Sequence, residues 1–466
     1  MSMKKALVVS MVATVLGTSV VSAVSAAPAV KPAANTAQVQ NSTLTINGNS
    51  VVIRSIIKHG ETLVSLRDVI KAIGAQAEVH IGTTVIKLND HSVTLQNNSK
   101  QIVVDDVKVN LNQPVTIIGG TSYVALRPLV TSVGGTIVIR GGQLEVSTVA
   151  LIDGVENPRF AGGGKLIVSR SDDNGRTDYL VNTTSGQYDL LLTTDGGSDL
   201  VVSPSGEQAA YTNAEGAVYV IDLKTKASKL ITSDNSIKPE LVWSADGNAI
   251  YFLQGDKGSV IAKLNVADGA ITKVVEDKVD YKENLNVSAD GQKFIYTVTT
   301  LGKVTSDATN VDEDNVSIDF SSNQQQIFSY NTGDSKPEAV KLTTSTDDKV
   351  FVWSADGLKA YYVSVPSEDG KASLLSVDSS QKSTPLYAEY DVEQAILSGG
   401  ILYILAAQDD SNSVIVSIDP VSGKQTKLYT VSSDVSSIAV AGSQVAVIEN
   451  DRVLVQAGSS WRAVTK

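Results

Sequence analysis

The side chains able to do acid–base, nucleophilic or metal chemistry are spread unevenly along this chain. It carries 50 aspartates and glutamates, three histidines and no cysteine. Without cysteine there are neither disulfides nor thiolate metal sites. The histidines, His59, His80 and His91, all lie in the first hundred residues. The remaining three quarters therefore cannot assemble a Ser-His-Asp triad. No Gly-x-Ser-x-Gly elbow and no Gly-x-x-x-x-Gly-Lys-Ser/Thr phosphate loop occurs. What remains is carboxylate chemistry, either paired acids of the glycosidase kind or oxygen ligation of a hard cation. Local spacing singles out no catalytic pair. No loop has the Asp-x-Asp-x-Asp-Gly order of a dedicated calcium loop, so a calcium site would be weak or assembled between loops.

The acids do recur at one position. They are Asp172 and Asp173, Glu215, Asp256, the group Asp312, Glu313 and Asp314, Glu368 and Asp369, Asp409 and Asp410, and Glu449 with Asp451. Each set falls between the second and third apolar runs of a repeated unit. The unit is plainest at residues 241–275, where four short apolar runs are separated by Asp246-Gly247, by Asp256 to Gly258 and by Asp268-Gly269. Asp-Gly favours positive φ and marks a tight hairpin. Four strands joined in this way make one antiparallel sheet. Aligned on the end of the first run, the copies sit at Phe160, Val202, Trp243, Val287, Trp353, Leu397 and Val440. The steps are 41 to 44 residues except for one of 66, which holds an insertion near residues 299–324. A Ser-x-x-Gly turn follows in the clearest copies, pairing Ser203 with Gly206, Ser244 with Gly247, Ser288 with Gly291 and Ser354 with Gly357. A tyrosine comes next, at Tyr211, Tyr251, Tyr296, Tyr361 and Tyr403.

The period and these motifs resemble the TolB-like, WD-repeat-like propellers over about residues 155–466. The resemblance implies a fold more than a function: a mainly β, seven-bladed β-propeller, with six or eight blades as the alternatives. A lone four-stranded sheet cannot bury both faces, whereas blades stacked in a ring bury them against each other. The first and last copies each hold four runs, so closure by strand exchange is not required. In a blade, the loop between strands two and three lies on the same side as the loop entering the blade. The acids should therefore share one face. Lys224, Lys226, Lys336, Lys382 and Lys424 should lie on the other. An acidic face would draw a basic partner or divalent cations. Trp243 and Trp353, at equivalent positions, are expected to pack between blades rather than stack on sugars.

A second repeat precedes the first. The block from Gly60 to Gly74 matches that from Gly120 to Gly134 at a constant offset of 60 residues. Each copy reads as a short strand (Leu63-Val64, Tyr123-Val124) and a helix with one apolar face, ended by Gly74 or Gly134. With Asn47-Gly48 ahead of them, these blocks resemble the stalk-type domain at the N-terminus of copper amine oxidases. That implies a small α+β domain over residues 42–150. The Trp-Asp pair of that family is missing after each helix, where His80-Ile81 and Ile139-Arg140 stand. The oxidase chemistry itself is not implied. No His-x-His pair exists, and the nearest approach to the oxidised-tyrosine motif is Glu389-Tyr390-Asp391. Arg67 and Arg127 occupy equal places in the two copies. An anion or glycan could engage them, but the expectation is that each satisfies carbonyls or a carboxylate within its own domain.

Residues 1–26 read as a secretory signal, with Lys4-Lys5, an uncharged apolar stretch and small residues before Ala27. Residues 27–41 read as a linker rich in Pro, Ala and Asn, and residues 151–466 as the propeller. Nothing later is long and apolar enough to span a bilayer. The formal charge of −12 opposes nucleic acid and anionic lipid as partners. The expected molecule is secreted or associated with a bacterial cell envelope. It binds or scaffolds a protein or cell-wall polymer of basic character, with no cofactor beyond weakly held calcium. The alternative is a secreted propeller enzyme acting on glycans or lactones through a carboxylate- or metal-based site at the channel mouth.

Overall fold

The structure, a computed structural model, describes residues 38–88, 91–140, 143–173, 175–300, 303–306, 316–319, 324–366, 369–458 and 460–466. The expected signal, and the acids Asp312, Glu313, Asp314 and Glu368, lie outside the described residues. Among the described residues no helix is long and apolar enough to cross a membrane.

The first part contains strands β1 (Gln40–Ile46), β2 (Asn49–Lys58) and β3 (Glu61–Ser65), helix α1 (Leu66–Ile73), and strands β4 (Gln76–His80), β5 (Thr83–Leu88), β6 (His91–Gln96), β7 (Gln101–Val104) and β8 (Val107–Asn110). It continues with β9 (Thr116–Ile118), β10 (Thr121–Ala125), helix α2 (Leu126–Ser132), β11 (Thr136–Arg140) and β12 (Gln143–Ser147). One sheet runs β11-β12-β1-β2-β3-β10-β9 and the other β4-β5-β6-β7-β8. A single core joins both sheets to both helices, with Ile53 and Val64 from the first sheet, Ile86 and Val93 from the second, and Val69 and Leu129 from the helices. The repeat meets itself at a pseudo-twofold. Val64 pairs with Val124, its own counterpart 60 residues on, flanked by Leu63 with Ala125 and Ser65 with Tyr123. Of the linker expected over residues 27–41, residues 27–37 lie outside the described residues, and Gln40 and Asn41 belong to β1, paired with Ser55 and Arg54. Pairing there uses backbone groups, and two polar residues at an exposed strand end leave no apolar signal to read.

The two helix starts differ. The Ser65 hydroxyl accepts the Asp68 N–H at 3.3 Å, and Arg54 donates to the Asp68 carboxylate at 2.7 and 2.8 Å. Those bonds, against the opposing effect of burial, hold the Asp68 carboxyl at about 2. In the second copy Ala125 and Pro128 replace Ser65 and Asp68, and α2 has no side-chain cap. A depressed carboxyl contributes stability above its unfolded value near 4, and the contribution is lost as pH falls toward 2. Asp68→Asn is expected to cost about 1 kcal/mol near neutral pH, after allowance for solvent screening of the half-exposed Arg54. Urea unfolding at several pH values checks this. The deficit should shrink between pH 4 and 2, and an equal deficit at both ends would contradict the assignment.

The second part is seven four-stranded antiparallel sheets. Their first strands are Glu156–Ala161, Val201–Val202, Leu241–Trp243, Lys282–Val287, Asp348–Trp353, Asp391–Ser398 and Val435–Ala441. Each neighbours the next, and the last neighbours the first, so they line a closed ring. The blade count is seven, and all seven alignment positions fall in these strands.

The second strands read as unbroken apolar runs because both their faces are buried. In blade 3, Ile250 and Phe252 face blade 2 while Tyr251 and Leu253 face blade 4. In blade 6, Leu402 and Ile404 face blade 5 while Tyr403 and Leu405 face blade 7. One apolar cluster fills each of the seven junctions, and each buried Ile, Leu or Val stabilises by about 1.5–3 kcal/mol. The closing junction packs Leu166 and Val168 of blade 1 on Ala446 and Val453 of blade 7. Among the described residues no strand crosses it.

The expected Ser-x-x-Gly turns form. Gly206, Gly247 and Gly291 donate to the carbonyls of Ser203, Ser244 and Ser288 at 2.9 Å. Glycine is needed at 291 for two reasons: its φ is +68°, and a Cβ there would lie 2.3 Å from the Tyr251 hydroxyl of the previous blade. Within the insertion, residues 303–306 and 316–319 pair as a separate two-stranded ribbon between the second and third strands of blade 4, so this part of the loop is ordered by pairing. The two parts of the chain meet where Arg462 of blade 7 donates to Glu145 at 3.1 Å. There the Asn47-Gly48 turn also lies against Thr184.

Candidate functional site

Chain direction places the predicted acids on one side of the ring. Asp172 and Asp173, Glu215, Asp256, Asp369, Asp409 and Asp410, and Glu449 with Asp451 all lie at or beside connections between second and third strands. All are exposed except Glu449, which is half-buried. Lys224, Lys226, Lys336, Lys382 and Lys424 lie on the opposite hairpins. The acids share a face but do not converge. Among the described residues no three carboxylates or imidazoles come together. Several serve their own turns: Asp409 accepts the Ser411 N–H at 3.0 Å, Glu215 accepts from Asn213, and Glu449 lies 3.7 Å from Arg452. Trp243 and Trp353 donate their indole N–H groups at 2.8 Å to the carbonyls of Val201 and Ala395 in adjacent blades, as blade packing requires.

The same side holds charges that sequence reading missed. Three lysines near the start of successive first strands, Lys238, Lys282 and Lys349, have fully buried side chains. Each ammonium is caged. Lys238 donates to the carbonyls of Gly216, Asp234 and Ser236 at 2.8–3.0 Å and lies 2.8 Å from the Asp234 carboxylate. Lys282 donates to Ser259 O at 2.8 Å, to the Asp277 carboxylate at 2.7 Å and to Val279 O. Lys349 donates to Ser345 O at 2.9 Å and to Asp347. Gly216 and Ser259 belong to the loops of the preceding blades, so the first two cages tie neighbours together. The ammoniums of Lys238 and Lys282 also lie 5.5 Å from the ring centroids of Phe252 and Tyr296. The sequence signal was an Asp-then-Lys pattern four or five residues before each aligned strand end.

Blade 1 carries a different polar knot. Arg159 and Arg176 both bond the fully buried Asp178, at 3.1 and 3.0 Å. Arg176 also holds Asp199 at 3.1 Å, and Asn157 holds it at 2.7 Å.

Of these groups Lys349 and Asp199 border a cavity of about 1060 Å³ in the ring's centre, lined by the first strands of blades 2 to 6. Its wall is largely apolar and includes Val242, Val287, Val350, Phe351 and Trp353. Val350 and Phe351 are 37% exposed, unusual for large apolar side chains on an innermost strand. Phe351 sits at φ +51° beside a register shift, which turns this strand toward the cavity. The acids lining the cavity are Asp199 and Glu240. Asp199 is neutralised by the arginines. Glu240 instead accepts two successive backbone N–H groups from blade 4, Asn284 at 2.9 Å and Leu285 at 2.8 Å. No cation pairs with it among the described residues. Burial pushes its carboxyl up, and the two N–H bonds work against that shift. The site can thus offer one partly desolvated negative charge beside an apolar wall. A two-carboxylate hydrolysis would need Asp199 free of its arginines.

Arg67 and Arg127 depart from expectation. Both are exposed, and neither guanidinium is hydrogen-bonded or ion-paired among the described residues. Arg54, one strand away, takes the carboxylate instead, because Asp68 points back over β2.

Residues 45–148 match the family model of the copper amine oxidase N-terminal domain. None of the curated proteins compared with the chain matches it. Among solved structures, a puromycin-hydrolysing peptidase of Mycobacterium tuberculosis is 12% identical with a TM-score of 0.48, over 68% of this chain and 57% of that one. The β-propeller domain of the trilobed protease from Pyrococcus furiosus is 12% identical with a TM-score of 0.46, over 68% of this chain and 97% of that one. TolB from Acinetobacter baumannii is 16% identical with a TM-score of 0.38, over 76% of this chain and 78% of that one. The chain thus spans little more than half of the mycobacterial peptidase. At these identities the likeness is one of fold alone. The first half of the two-part resemblance rests on the family match, and the second on the seven four-stranded sheets.

Proposed function

We propose that this is a secreted, non-catalytic binding or scaffolding protein of a bacterial cell envelope. Its first part, residues 42–150, folds separately and acts as a stalk displaying the propeller of residues 151–466. The propeller's acidic side draws in a basic protein or polymer. The channel then takes a cationic group flanked by apolar ones. No resident cofactor is assigned. The observation that carries this reading is Glu240, a half-buried carboxylate without a cationic partner among the described residues, on a cavity walled by Val350, Phe351 and Trp353. An unpaired charge in a poorly hydrated site favours an opposite charge more strongly than an exposed one does.

Calorimetric titration with short peptides tests the proposal. A Lys-Phe or Arg-Leu-containing peptide should bind, and its Glu-substituted counterpart should not. Glu240→Gln should weaken binding by about tenfold or more, which corresponds to about 1.4 kcal/mol. Because burial raises the Glu240 pKa, affinity should climb with pH through the mildly acidic range as the carboxylate forms. Equal binding of both peptides, or an unchanged affinity in the variant, would overturn the channel reading. A calcium titration alongside shows whether the acidic loops prefer a divalent cation to a basic polymer.

A further inference from the structure

The first part holds a cavity of its own, about 560 Å³, lined wholly by residues of that part. Its inner wall belongs to the hydrophobic core. Leu44, Val64 and Leu126 are buried members of that cluster, and Leu144 packs against it. Its rim carries two opposite charges, Arg127 and Glu61. Neither charged side-chain group is hydrogen-bonded or ion-paired among the described residues, and they do not reach each other.

The pseudo-twofold explains why the two charges stand together. In the β3–β10 ladder Leu63 pairs with Ala125, so two residues further on Glu61 comes opposite Arg127. The symmetry-related end of the ladder brings Thr121 opposite Arg67. Only one end therefore carries both signs. Helix α2 begins at Leu126, which takes Arg127 out of the ladder before it can meet Glu61. At the third helix position Pro128 stands where the first copy has Asp68, so the start of α2 supplies no carboxylate.

A cavity of this volume with an apolar inner wall is within the range that holds a small organic molecule. Two uncompensated charges of opposite sign at its rim are complementary to a ligand that carries both. We propose that this cavity binds a small zwitterion with an apolar body. Its anion lies on Arg127, which suits a carboxylate or phosphate through its forked donors. Its cation lies on Glu61, and its apolar part rests against Leu44, Leu126 and Leu144.

The test titrates the full chain with leucyl-leucine bearing free termini, with its N-acetylated and C-amidated forms, and with the doubly blocked form. The free dipeptide should bind with a Kd in or below the millimolar range. Each single block should weaken it about tenfold, and the double block should abolish binding. Arg127→Ala should bind the free and the amidated forms alike, and Glu61→Gln the free and the acetylated forms alike. Arg67→Ala should behave as the parent. Doubly blocked dipeptide binding as tightly as the free form would overturn the proposal. So would an Arg127→Ala profile identical to that of Arg67→Ala, or no binding of any form at about 10 mM. Glu240→Gln should bind the dipeptide like the parent, which separates this result from the fate of the channel reading.

Discussion

Replacing Lys282 by alanine is expected to lower the unfolding free energy by about 3–5 kcal/mol, because it leaves a buried charge without its partner. The Lys282 side chain is fully buried and Asp277 is only 10% exposed, at 2.7 Å. The substitution would strand that carboxylate together with two carbonyls, Ser259 O and Val279 O, that now accept from the ammonium. The Tyr296 hydroxyl contacts the same carboxylate at 3.3 Å and cannot replace the lost charge. Lys282→Met keeps the volume but not the charge and should cost nearly as much. Adding Asp277→Asn to Lys282→Met should restore part of the loss, since a neutral amide is easier to leave buried than a carboxylate. Equilibrium urea unfolding of the three proteins is the measurement. Losses below about 1 kcal/mol in both single variants would mean that the cage is hydrated and contributes little.

The cage also has a pH signature. Burial lowers the Lys282 pKa below the usual lysine value. Between the folded and unfolded values the unfolded chain binds the additional proton, so stability should rise with pH in that alkaline window. The methionine variant should lack this rise. A parent and variant with parallel profiles there would show that the lysine titrates as if exposed.

Removing residues 464–466 is expected to destabilise the ring by about 3–6 kcal/mol. Val464 is fully buried between blades 1 and 7, and losing such a side chain costs about 1.5–3 kcal/mol. Thr465, also fully buried, accepts the Val453 N–H at 2.7 Å, and an orphaned buried N–H costs about 1–3 kcal/mol more. The Lys466 N–H donates to Ile152 O at 2.8 Å, tying the end of blade 7 to the segment leading into blade 1. Among the described residues no strand exchange reinforces this junction, so the short segment carries a large share of the closure. The expected result is a lower propeller transition in calorimetry, with the transition of the first part unchanged. A propeller transition shifted by less than about 2 °C would show that the apolar contacts of blades 1 and 7 suffice without it.

Much of the fold was legible from residues 155–466 because strand period, hairpin glycines and blade length are local properties. Asp246-Gly247 makes its turn whatever lies in the neighbouring blade. The repeat at a 60-residue offset foretold two similar strand–helix units, and Gly74 ends the first helix in the left-handed conformation as expected. Which connection each acid occupies is also readable for the described ones, such as Glu215 and Asp256, because it follows from counting strands within a blade. Less legible was the strand at Gln40 and Asn41, whose pairing depends on β2 and not on its own composition.

The sequence by itself determined the repeated four-stranded unit and the order of its copies, and it pointed to seven blades, since antiparallel strands reverse direction at each turn. Only the tertiary structure decided which of those charges remain free. Lys282 meets Ser259 of the previous blade across 23 residues, and Glu240 meets Asn284 and Leu285 across 44 and 45. Glu61 and Arg127 stand together because two repeats pair about their own pseudo-twofold. Whether a charged group is neutralised depends on where distant backbone donors and acceptors come to rest, and the periodicity of a single strand carries no record of that.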